Sequence, residues 1–153
     1  MELEHYEKWE PVEGIMTPAS RAWIRDDYEG LTVTLIFSKI IDGLDKELEI
    51  WFGRVPAYTV HEEFVHPWNT YGSEPAAKLD KGQWDNYNFP LRVVKNSVWL
   101  RSFSEIQLIH YPDSIHYNFV TLDQTVDVLC NEEPEVSWID PLYEFPNRRS
   151  SEP

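Results

Sequence analysis

Basic residues are scarce in this chain of 153 residues: 13 Lys and Arg stand against 27 Asp and Glu, for a formal net charge of -14 and an isoelectric point near 4.6. That charge repels nucleic-acid phosphates and anionic lipid headgroups, so no nucleic acid and no membrane is expected among the partners. A single cysteine, Cys130, excludes an internal disulfide and a cysteine-built zinc site, and nothing demands an oxidising compartment. Six glycines in total leave no glycine-rich phosphate loop, and no serine stands in a Gly-x-Ser-x-Gly elbow. Long hydrophobic runs are also missing. The longest, such as LTVTLIF, are far too short to cross a bilayer, and the amino terminus MELEHYEKWE is acidic rather than basic and apolar. The expectation is an untargeted cytoplasmic protein.

Aromatic and aliphatic side chains are plentiful, with 42% hydrophobic residues and 14% aromatics, enough for one domain with its own core. Residues 1–141 are read as that domain and residues 142–153, with LYEFPNRRSSEP, as a loosely held tail. From Leu31 to Ile41, Leu31, Val33, Leu35 and Phe37 alternate with Thr32, Thr34 and Ser38, a strand with one buried face. In ELEIWF, Leu48, Ile50 and Phe52 alternate with Glu47, Glu49 and Trp51, which makes the two runs an antiparallel pair. Gly53 and Pro56 then break the second of these strands, so Ala57 to Val60 reads as a bulged continuation or an edge. Residues 61–90 have no sustained period and five Gly or Pro residues, the pattern of a long irregular binding segment. NSVWLRSFSEIQLIH reads as the one main helix, capped by Asn96 or Ser97, with Trp99, Phe103 and Ile106 forming its buried stripe. Ile115, Tyr117 and Phe119, then Val126, Val128 and Cys130, form a second hairpin joined across Leu122 to Gln124. The fold class expected is α+β: an antiparallel sheet of about five or six strands with the helix packed on it.

Among chemically able residues, His110 and His116 lie on either side of Pro112, and His61, Glu62, Glu63 and His66 form a second cluster. Neither has the compact His-x-x-x-His or Cys-x-x-Cys spacing of a zinc site, and both read more simply as structural or solvated groups. His116 shares a strand face with Asn118, opposite Tyr117, and reads as a partly exposed structural imidazole. Cys130 falls in the inward register of VDVLC, next to Glu132 and Glu133, which would raise rather than lower a thiol pKa. It reads as a small core hydrophobe. No cofactor, metal or catalytic residue is assigned. Among the seven tryptophans, Trp99 reads as core, and Trp9, Trp68 and Trp84 as anchors that pin irregular segments to the body.

The negative charge comes in blocks. Residues 122–144 hold seven acids and no base, while residues 64–112 hold four acids and five bases. Mutual repulsion in such a block costs stability, which points to a compensating use. The expected use is docking: Glu132, Glu133, Glu135 and Asp140, joined by Glu62 and Glu63 and rimmed by Tyr117, Trp138 and Tyr143, would steer and hold a basic protein. Two other functions compete with it. One is a small-molecule or enzymatic site in a pocket formed by Trp51, His61, His66 and the irregular segment, near residues 51–68. The other is a structural or adaptor subunit.

GLTVTLIF, ELEIWFGRVPAYTVHEE, SVWLRSF and HYNFVTLDQTVDVLCNEEPEV, taken in order, resemble a diffuse group of small bacterial immunity-type proteins encoded beside secreted antibacterial toxins. The likeness spans roughly residues 9–138 and rests on strand patterning, Ala57-Tyr58, Glu62-Glu63 and the closing strand ending in Pro134. It implies a non-catalytic protein that binds a cognate toxin and blocks it.

Overall fold

The computed structural model describes residues 4–37, 46–62, 65, 78–79 and 89–141. Among the described residues ten strands form two sheets: β1 (His5–Lys8), β2 (Arg21–Asp27), β3 (Gly30–Ile36), β4 (Glu47–Gly53), β5 (Ala57–Glu62), β6 (Lys78–Leu79), β7 (Leu91–Lys95), β8 (Ile115–Val120), β9 (Gln124–Cys130) and β10 (Glu135–Ile139). One sheet has the order β5-β9-β8-β7-β1-β6 and the other β10-β4-β3-β2. All pairings are antiparallel except β1 with β6.

The expected hairpins are there. Leu35 pairs with Leu48 across β3–β4, and Ile115 pairs with Cys130 across β8–β9. β5 is indeed an edge strand, paired on one side only, with β9. The inward residues of both sheets make one core: Leu31, Val33, Leu35, Leu48, Ile50 and Phe52 from the smaller sheet meet Leu91, Tyr117, Phe119, Val126, Val128 and Cys130 from the larger. Phe52 fits between Tyr117 and Phe119 at 5.8 Å to each ring, so the sheets pack face to face as a sandwich.

The α+β expectation is overturned. Among the described residues the only helix is α1 (Val98–Arg101), four residues long. Ser97 is its N-cap, as expected, and accepts the Leu100 N–H at 2.9 Å. The helix stops because hydroxyls compete for its backbone groups. Ser102 Oγ donates to the Trp99 carbonyl at 2.5 Å, and Ser104 and Gln107 bond each other's backbone N–H in a separate turn. Ile106, expected on the buried stripe, is 81% exposed. The second layer on the core is the smaller sheet, built from β2 and β10 as well as the expected pair.

Candidate functional site

The strand directions sort the expected docking residues into two groups. β9 ends and β10 begins at one end of the sandwich, so exposed Glu132, Glu133 and Glu135 lie together there. Glu62 ends β5 opposite Gln124, at the start of β9, and Asp140 follows the far end of β10. Five residue steps along the strand separate Glu135 from Asp140, roughly 17 Å at the usual rise. Asp140 is also neutralised, because Lys46 pairs with it and holds its carboxyl below the usual range. Glu63 and Tyr143 lie outside the described residues. Of the expected rim aromatics, neither Tyr117 nor Trp138 stands exposed at the acidic end. Tyr117 is buried in the core 4.8 Å from Trp9, and burial, followed by nearby Cys130 and Glu133, pushes its phenol up to about 12. Trp138 is half-buried against Phe37 and donates its indole N–H to the Glu13 carbonyl at 3.0 Å, which ties down the amino-terminal loop.

Other residues take the place of those aromatics. The β2–β3 turn, Asp27-Tyr28-Glu29-Gly30, lies at the same end as Glu132 and Glu133. Trp51 Nε1 donates to the Glu29 carbonyl at 3.2 Å, and Trp51 is the cross-strand partner of Glu135. The Asp27 carboxylate accepts the Glu29 N–H at 2.9 Å and faces Arg25 at 3.3 Å, which stiffens the turn and leaves the Tyr28 ring 86% exposed. Trp51 is 40% exposed beside it. Asp26 adjoins Tyr58 on β5; burial first, then this carboxylate, raise the Tyr58 phenol above its ordinary value. The Cys130 thiol donates to the Glu132 carbonyl, which seats the β9–β10 connection on the end of the sheet. The end therefore carries exposed Asp26, Asp27, Glu29, Glu132, Glu133 and Glu135, with Tyr28 and Trp51 among them. Among the described residues Glu132, Glu133 and Glu135 form no ion pair; Arg25, already paired, and exposed Arg54 lie on this end of the smaller sheet and the β4–β5 connection, and Lys95, at the same end of β7, meets Glu7 at 3.9 Å. Tyr28 was readable in principle, since DDYEG joins a turn signal to acids and an aromatic. Trp51 stands in the outward register with Glu47 and Glu49.

The outer face of the larger sheet holds a buried polar chain that sequence reasoning missed. Ser97 Oγ lies 2.6 Å from His116 Nδ1, and His116 Nε2 lies 2.6 Å from Asp127 Oδ1. Asn118 Nδ2 donates to the same carboxylate oxygen at 2.8 Å, while Arg92 donates twice to Asn118 Oδ1, at 2.9 and 2.7 Å. His116, Asn118 and Asp127 are fully buried, so His116 is not the partly exposed imidazole expected. Cross-strand register explains the alignment: Arg92 faces Asn118, and Asn118 faces Asp127. Ser, His and Asp are the residues of a hydrolytic triad. Here, however, the Ser97 hydroxyl is buried and already capping α1, and it meets the histidine through Nδ1. The chain holds α1 on the sheet.

The remaining candidates are scattered. Trp51 faces outward from the smaller sheet and His61 outward from the larger, in the row of Thr59 and Asp127, so these two do not line one pocket. His66, Trp68 and Trp84 lie outside the described residues. His110 is exposed. Cys130 is buried, and burial pushes its thiol pKa up. Among the described residues no three His, Cys, Asp or Glu side chains converge as metal ligands, and no helix is long and apolar enough to cross a membrane. No protein-family model matches the chain, and no curated protein or solved structure matches it significantly.

Proposed function

We propose that this protein is a non-catalytic binding protein that docks a basic protein on the acidic end of its sandwich. The supporting observation is the concentration of Glu132, Glu133, Glu135, Asp27 and Glu29 around the exposed rings of Tyr28 and Trp51, on turns held by hydrogen bonds. Glu132, Glu133 and Glu135, which form no ion pair among the described residues, repel one another when the protein is alone and are relieved by a cationic surface; such a field also speeds encounter. Rigid aromatics among them offer contact area at low entropic cost. The strand pattern's likeness to immunity-type proteins supports reading the partner as a secreted toxin.

The test is affinity capture from source-cell lysate, with the native chain and Glu132→Lys/Glu133→Lys run side by side and identification by mass spectrometry. One stoichiometric basic partner, lost from the variant, is the expected result. Equal recovery on both baits, or an acidic partner, would refute the proposal.

A further inference from the structure

The segment from Ser104 to Tyr111 carries aliphatic side chains that the fold does not use. Ile106 is 81% exposed and Ile109 65% exposed, with Ile115, 43% exposed, at the root of the same loop. This exposure is built in. Ser104 N donates to Gln107 Oε1 at 2.7 Å and Gln107 N to Ser104 Oγ at 3.2 Å, a reciprocal lock on one turn. Backbone bonds from Leu108 to Ser104, Ile109 to Ile106 and Tyr111 to Leu108 continue it at 3.2, 3.3 and 2.8 Å. A loop stiffened in this way loses little entropy when it docks.

Its position is continuous with the acidic end. Asp113 N donates to Asn131 Oδ1 at 2.7 Å, and Ile115 pairs with Cys130, so the loop stands next to Glu132 and Glu133. Charge decides the occupant. A second copy would bring another net charge of -14, with its own Glu132 and Glu133, against this surface, and an anionic membrane would be repelled in the same way. We infer that Ile106 and Ile109 are the apolar anchor of the docking end, inserting among apolar side chains of a basic protein whose cations meet Glu132 and Glu133. This inference rests on the docking proposal and specifies what the partner must present.

The test uses the full chain and two fluorescent peptides of equal length and charge, one alternating Lys with Leu and the other Lys with Ser, with binding read by anisotropy at matched ionic strength. The Lys/Leu peptide should bind at least about tenfold more tightly. Ile106→Ser/Ile109→Ser should abolish that preference and leave Lys/Ser binding unchanged, whereas Glu132→Lys/Glu133→Lys should weaken both. Lack of preference in the native chain, or its survival in the double serine variant, would overturn the anchor. If binding then still depends on Glu132 and Glu133, the docking proposal stands without it; if neither peptide responds to the charge reversal, both fall. Sedimentation at high salt covers the remaining occupant: the native chain should stay monomeric, and a dimer abolished by the serine variant would overturn the inference in favour of self-association.

Discussion

Glu4 sits almost fully buried just before β1 and accepts the Val98 N–H on Oε1 at 2.8 Å, while its Oε2 has no hydrogen-bond partner among the described residues. Burial raises its pKa, Asp127 adds to the rise, and the Val98 amide, His116 and Arg101 oppose it. The folded state therefore holds this proton more tightly than the unfolded chain does. Its stabilising contribution is complete below the ordinary value of 4.5 and is lost as pH rises through the raised folded value. Glu4→Gln keeps an acceptor for Val98 and cannot ionise. Its stability relative to the native chain should thus grow between about pH 4 and pH 7, read from urea midpoints; parallel pH curves would contradict this. Asp127 supports the opposite prediction. Asp127→Ala leaves His116 Nε2 and Asn118 Nδ2 without their buried acceptor and should cost roughly 3 kcal/mol or more, with Asp127→Asn milder. A loss below about 1 kcal/mol in a denaturation curve would remove the buried chain from the account of stability.

At the scale of elements, the strands legible in the sequence are those with a clean period of two and one face turned into the core: β3, β4, β8 and β9. β2 and β10 are edge strands, and their alternation is short and diluted. Ala22 and Ile24 face the core from a run holding Arg21, Arg25, Asp26 and Asp27, and Val136 and Trp138 do so from only five residues. The helix falls short of its expected length for a different reason. Trp99, Phe103 and Ile106 have helical spacing, but Ser102, Ser104 and Gln107 spend local hydrogen bonds ending the helix after one turn, and periodicity does not register that competition. The polar row Arg92, Asn118, Asp127 was hidden because it exists only across three strands. The β2–β3 turn carries its own constraint. Gly30 has φ +115°, and a Cβ there would lie 2.4 Å from the Gly53 carbonyl carbon. Gly30→Ala should cost about 2 kcal/mol or more by strain and displace Tyr28 and Glu29. A thermal midpoint equal to that of the native chain would show that the turn has room to shift.

For the whole molecule, the sandwich separates its tasks by end and by face. The end with the β8–β9 turn is stapled shut: Leu122 N bonds the Ala19 carbonyl at 3.0 Å and Arg21 meets Asp123 at 3.6 Å. The opposite end gathers like charges and exposed apolar side chains on three connections that are neighbours only after folding. The acidic blocks were visible in the chain, as was the exposure of Glu132 and Glu133; which acids share an end depends on strand direction, and that placed Asp140 and Glu62 elsewhere. The most direct test of the docking account is the affinity of the captured basic partner for the native chain and for Glu132→Lys/Glu133→Lys, measured from low to high salt. Binding by the native chain should weaken steeply with salt, and the variant should bind about tenfold more weakly at low salt with a flattened dependence. Equal affinities and equal slopes would contradict it.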